Sequence, residues 1–114
     1  MAKDCIFCRI VAGEAPARKV YETESVVAFR DANPQAPTHV LIVPRKHIAR
    51  IADLEPEDAS LMGDLIYAAK VVAEQEGISQ GFRLVFNNGL PAGQSVYHIH
   101  LHLLGKRAFR WPPG

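Results

Sequence analysis

Apolar residues fall along this chain in short clusters and alternations, with one longer helical stripe. Residues 18–22 (RKVYE) and 25–30 (SVVAFR) are strand-like, with Glu22-Thr23-Glu24 as the turn between them. Asp31 to Pro37 carries two prolines and an asparagine, which exclude regular structure and predict a loop. Residues 38–44 (THVLIVP) predict a buried strand that stops at Pro44. Residues 82–87 (FRLVFN) and 96–104 (VYHIHLHLL) predict two more strands. The helical stripe runs from Pro56 to Gly77, with proline suited to the start and glycine to the position past the end. Leu61, Met62, Leu65, Ile66, Ala69, Val72 and Ala73 form its apolar face. A shorter helix over residues 4–11 is closed by Gly13 and Pro16. Five strands and two main helices with short connections predict an α+β architecture: an antiparallel sheet with the helices on one face.

With 114 residues the chain fits one domain, 1–114. Its formal net charge of +1 provides no broad basic field for a nucleic-acid backbone. No apolar run approaches the roughly 20 residues of a membrane helix. The opening Met1-Ala2-Lys3-Asp4 leads into no long apolar stretch, so no signal peptide is expected. The two cysteines, Cys5 and Cys8, are spaced for a metal or redox site rather than a long-range disulfide. The expectation is a cytoplasmic protein that binds neither nucleic acid nor membrane.

The candidate chemistry lies in the last strand. His98, His100 and His102 alternate with Ile99, Leu101 and Leu103. In a strand, residues two apart share a face at about 6.6 Å, so the imidazoles line one side and the aliphatic residues face the core. A neutral imidazole is a good nucleophile near neutral pH, and its neighbours can fix its tautomer and donate to phosphate oxygens. A three-histidine metal centre is the rival reading, but ligands at this spacing span too far for one ion. Ahead of the strand, Asn87, Gly89, Gly93, Gln94 and Ser95 offer amide, hydroxyl and backbone N–H donors. They read equally as a hairpin loop or as a phosphate cradle.

The string His98-Ile99-His100-Leu101-His102-Leu103-Leu104 resembles the signature of the histidine triad (HIT) family. GQSVYHIHLHLLG at 93–105, DANPQAPTHVLIVPRKHI at 31–48 and the ending WPPG at 111–114 resemble its nucleotide-binding, purine nucleoside phosphoramidase branch. That resemblance implies a HIT-like fold and a homodimer. It implies hydrolysis of adenosine or guanosine 5′-phosphoramidates and aminoacyl adenylates through a nucleotidyl-histidine. His100 would be the nucleophile, His98 and His102 would meet the phosphate, and His39 would position the cluster. Ser95 would bond the leaving group, while Gly93, Gln94 and Asn87 would hold phosphate or ribose. Asp31 would accept the ribose hydroxyls, and Ile6, Phe7, Ile10 and Phe29 would sandwich the purine. Without the resemblance, these apolar residues read as core and Asp31 as a turn cap. His47, beside Arg45 and Lys46, reads as surface.

Two thiolates alone do not complete a tetrahedral zinc site. Some histidine triad proteins and the related galactose-1-phosphate uridylyltransferases resemble this chain in pairing cysteines with histidines around structural zinc. The corresponding set here would be Cys5, Cys8, His39 and His98. Alternatively, the cysteines are small buried hydrophobes. No cofactor is expected for the catalysis itself. Two other functions compete with the phosphoramidase: a dinucleoside polyphosphate hydrolase, and a nucleotide-binding module without turnover. Trp111 and its prolines form a tail expected to lie on a partner subunit.

Overall fold

A computed structural model describes residues 4–114; Met1 to Lys3, part of the opening read as lacking a signal pattern, lie outside the described residues. The strands are β1 (Lys19–Glu22), β2 (Val26–Arg30), β3 (Thr38–Pro44), β4 (Arg83–Phe86) and β5 (Leu101–Gly105). They form one antiparallel sheet in the order β1-β2-β3-β5-β4. The helices are α1 (Ile6–Val11) and α2 (Ala59–Gln75).

The two helices lie on opposite faces of the sheet, not on one as the pattern suggested. β2 and β3 explain why. Val26, Val27, Ala28 and Phe29 are all buried, as is every residue of β3. A strand buried on both faces needs cover on both. Val26, Ala28, Val40, Ile42, Leu101 and Leu103 pack under α2. Val27, Phe29, Leu41 and Val43 pack under Phe7 and Ile10 of α1.

α2 begins where expected. A single 3-10 turn, Pro56–Asp58, feeds into it, and Asp58 accepts both the Glu55 N–H and the Lys46 ammonium. Gly77 ends it with a φ of 73°. Its buried face is Leu65, Ala68, Ala69, Val72 and Ala73. Ile66, placed on the stripe by sequence, is 51% exposed instead, because it lies one residue round from Leu65.

The last strand also starts later than the alternation suggests. Ladder pairing begins at Leu101, so only His102 of the three histidines is within β5. β4 ends at Phe86, and Pro44 at the end of β3 has no N–H to give. Residues 98–100 nevertheless keep their alternation. Ile99 joins the α2 side of the core and donates its N–H to Ile48 O at 2.8 Å, while His98 and His100 turn to the α1 side.

Candidate active site and metal cluster

A cavity of about 870 Å³ opens between α1, the end of β2 and the histidine segment. Ile6, Phe7, Ile10 and Phe29 wall it, and Asp31, Ser95, His100 and His102 supply its polar groups. These eight residues were all singled out in the sequence, and the fold brings them together. Phe7 packs its ring edge-on against Phe29 at 5.4 Å and against His100 at 5.1 Å. The apolar wall and the histidines are therefore one packed unit.

Backbone partners that can only donate or only accept fix the histidine tautomers. The His98 carbonyl accepts from His100 Nδ1–H at 2.8 Å, which leaves the lone pair on His100 Nε2. The Gln35 N–H donates to His39 Nδ1 at 3.0 Å, so neutral His39 carries its proton on Nε2. That proton is donated to His102 Nδ1 at 2.9 Å, and Asp31 Oδ2 stands 3.4 Å from the same His39 nitrogen. His102 in turn keeps its proton on Nε2. The site thus places a basic nitrogen on His100 beside an N–H donor on His102, with ring centroids 5.0 Å apart.

Burial keeps these rings neutral. It lowers the pKa of His39, against a weaker upward pull from Asp31. It lowers His98 and His100 as well, each opposed by a backbone hydrogen bond. His102 is pushed furthest, to about 4, by burial and then by its histidine neighbours. At neutral pH His100 therefore holds an available lone pair instead of a proton.

Three residues given a phosphate or ribose role in the sequence stand apart from the cavity wall. Gln94 is 1% exposed and turns its side chain inward. Its amide donates to Ala49 O and Val96 O, and its Oε1 accepts the Gly89 N–H at 2.7 Å. Gly93, at φ 92°, closes the turn Leu90–Ala92. Gly93 and Asn87 both lie outside the cavity lining, so this loop braces itself and delivers Ser95 and Val96.

The metal set also changes in one member. Sγ of Cys5 and Cys8 and one ring nitrogen each of His47 and His98 all lie within 4.8 Å of one another. His39 is absent from this group and sits with Asp31 and His102. β3 explains the exchange. His39 lies near its start, whereas His98 Nε2–H donates to Pro44 O at its end. Five residues of strand separate the two positions by about 17 Å. His47 follows Pro44 by three residues and reaches the cysteines. The chain offered two histidines outside the triad, and only the fold chose between them.

The cluster suits zinc. His98 Nδ1 lies 3.2 Å from His47 Nδ1 and 3.5 Å from each cysteine Sγ, and His47 Nδ1 lies 3.1 Å from Cys8 Sγ. Zinc bonds of about 2.0–2.3 Å give tetrahedral ligand separations of about 3.3–3.8 Å. With Nε2–H committed to Pro44 O, His98 Nδ1 is an acceptor facing other electron-rich atoms. A cation would relieve that opposition, and the Pro44 carbonyl is the outer partner such a ligand needs.

The profile of the HIT domain matches residues 12–109, well over half of the sequence. The chain belongs to the HIT domain family. An uncharacterised HIT-like protein of Synechocystis sp. is 52% identical over 114 residues, covering 100% of both chains. A 14 kDa zinc-binding protein of Zea mays is 52% identical over 111 residues, covering 96% of this chain and 87% of that protein. The crystal structure of a HIT family hydrolase from Legionella pneumophila superposes with a TM-score of 0.95 at 54% identity, covering 97% of this chain and all of that one. The α+β HIT fold expected from the histidine string is therefore the fold of this chain. Among the described residues no helix is long and apolar enough to cross a membrane.

Proposed function

We propose that this HIT protein hydrolyses purine nucleoside 5′-phosphoramidates, and related acyl adenylates, through a nucleotidyl-histidine. The paired tautomers of His100 and His102 carry this reading, because they match the two needs of attack at phosphorus. His100 Nε2 forms the bond to phosphorus as the bond to the leaving amine breaks. The ring gains positive charge, which the His98 carbonyl meets at Nδ1–H. His102 Nε2–H faces the phosphate oxygens, and the Ser95 hydroxyl bonds the departing nitrogen, which takes a proton from solvent and leaves as the neutral amine. Water then cleaves the phosphorus–nitrogen bond to His100 and releases the nucleotide. Asp31 takes the ribose hydroxyls, and the base lies between Ile6, Phe7, Ile10 and Phe29. The hydrolase name of the Legionella relative supports the reaction class.

Alkaline denaturing quench, which preserves the acid-labile phosphorus–nitrogen bond, during turnover of adenosine 5′-phosphoramidate labelled at phosphorus is expected to trap label on a histidine. Nucleotide binding with no turnover would instead mark a binding module. The relay behind His102 has its own test. His39→Ala removes the donor that fixes the His102 tautomer, so turnover is expected to fall about a hundredfold. Bound metal should stay unchanged, since His39 is not in the cluster.

Zinc held by Cys5, Cys8, His47 and His98 belongs to the same reading, and the Zea mays relative is named for that property. Its chemistry there is structural: it neutralises two thiolates and fixes His98. A reducing cytoplasm keeps those thiols available. The protein is further proposed to be a homodimer. β4 is an edge strand, and Trp111 is 85% exposed on the tail. Sedimentation at micromolar concentration is expected to give twice the chain mass, and a monomer would contradict it.

A further inference from the structure

α1 serves two sites at once. Cys5 caps it, its Sγ accepting the Cys8 N–H at 3.4 Å, and both sulfurs face His47 and His98. Between and after them, Ile6, Phe7 and Ile10 wall the nucleotide cavity. α1 has no ladder bonds to the sheet. It is held by apolar contact with β2 and β3 and by the sulfur–imidazole cluster. His98 then passes the cluster's position to His100 through its carbonyl.

The two sulfurs differ in access. Cys8 is 1% exposed. Cys5 is half-buried and lines a separate groove of about 440 Å³ with Asp4, His47 and Tyr97, which brings small solutes up to this residue. That groove shares Ile6, Ser95 and Val96 with the nucleotide cavity.

We propose that Cys5 and Cys8 form a peroxide-sensitive thiol pair whose closure to a disulfide loosens the α1 wall of the nucleotide cavity. This rests on the zinc and nucleotide readings above. The Cys5 thiolate attacks one oxygen of hydrogen peroxide, breaking the O–O bond, and becomes a sulfenic acid with release of hydroxide. The Cys8 thiolate then attacks the Cys5 sulfur, forms the S–S bond and expels a second hydroxide. The pair loses two electrons, the peroxide gains them, and solvent protons turn both hydroxides into water. A disulfide has no thiolate charge with which to hold a divalent cation, so the metal leaves with the oxidation. His47 and His98 lose their thiolate partners, and α1 loses the hold of the cluster while its apolar contacts with β2 and β3 remain.

The test treats full-length protein, loaded with zinc, with hydrogen peroxide. Free zinc is read with a chromogenic chelator, the thiol pair by peptide mass, the α1 amides by hydrogen exchange, and adenosine 5′-monophosphate affinity by calorimetry. The Cys5–Cys8 peptide should lose the mass of two hydrogens in step with zinc release. Exchange of the α1 amides should rise, and the nucleotide Kd should rise about tenfold. Dithiothreitol with added zinc should reverse all of it. Cys5→Ser should form no disulfide and should show no peroxide-dependent change in exchange. A disulfide that leaves α1 exchange unchanged overturns the proposal, as does oxidation to sulfonic acid without a disulfide. If the reduced chain takes up no zinc, the zinc reading fails, yet α1 exchange on oxidation of that same protein still decides this one. If the reduced protein binds no nucleotide, that reading fails, and exchange again decides.

Discussion

His100→Ala is expected to lower turnover of adenosine 5′-phosphoramidate about 10⁴- to 10⁶-fold, the scale seen when a covalent nucleophile is removed. At the lower figure this is about 5.4 kcal/mol of lost transition-state stabilisation. Nucleotide affinity should change far less. The residues proposed to hold base and ribose, Ile6, Ile10, Phe29 and Asp31, line the cavity apart from the His100 imidazole and stay in place. No other nitrogen can substitute. His102 Nδ1 is occupied by His39 and its Nε2 carries the proton, while His98 Nε2 is spent on Pro44 O. His100→Gly separates loss of the nucleophile from loss of fold, because added imidazole should restore part of the rate through the vacated space. Steady-state rates for wild type and both variants decide the matter. A His100→Ala protein that turns over like wild type would remove His100 from the mechanism.

Metal withdrawal carries the second large effect. A ligand bound at a thousandfold excess over its Kd stabilises the folded state by about 4 kcal/mol. For a domain of this size, its removal by a chelator should lower the thermal midpoint by about 15 °C. The loss should concentrate around α1, whose attachment depends on the cluster. His47→Ala should abolish zinc binding and reproduce the chelated midpoint without chelator. His39→Ala should bind zinc as wild type does. Metal analysis and thermal melts of the three proteins check this directly. Full zinc content in His47→Ala would refute the ligand assignment, and wild type free of zinc after purification without a histidine tag would refute the metal itself.

Much of the site was legible in sequence for a local reason. A two-residue period puts every second side chain on one side of an extended segment. His98, His100 and His102 therefore share a side whether or not their backbone is laddered, and Ile99, Leu101 and Leu103 enter the core. The 3-10 turn at Pro56 that leads into α2 and the stop at Gly77 past its end follow from proline's fixed φ and glycine's tolerance of positive φ. The eight cavity residues were found because the histidine string and its flanking segments carried a recognisable pattern, not because periodicity could tell a cavity wall from core.

The sequence by itself determined the composition of the elements, the shared side of the three histidines and the presence of a thiol pair. These depend on steric preferences within a few consecutive residues. Only the tertiary structure decided which histidine joins the thiols, which way Gln94 turns and which nitrogen of each imidazole holds the proton. Each of these depends on contacts across tens of residues. The β3–β5 register sets Leu41 opposite His102 and so brings His39 within reach of it diagonally. The same strand carries the chain away to Pro44 and His47, beside His98. One strand length separates the relay that tunes His102 from the cluster that anchors His98, and no local pattern records that distance.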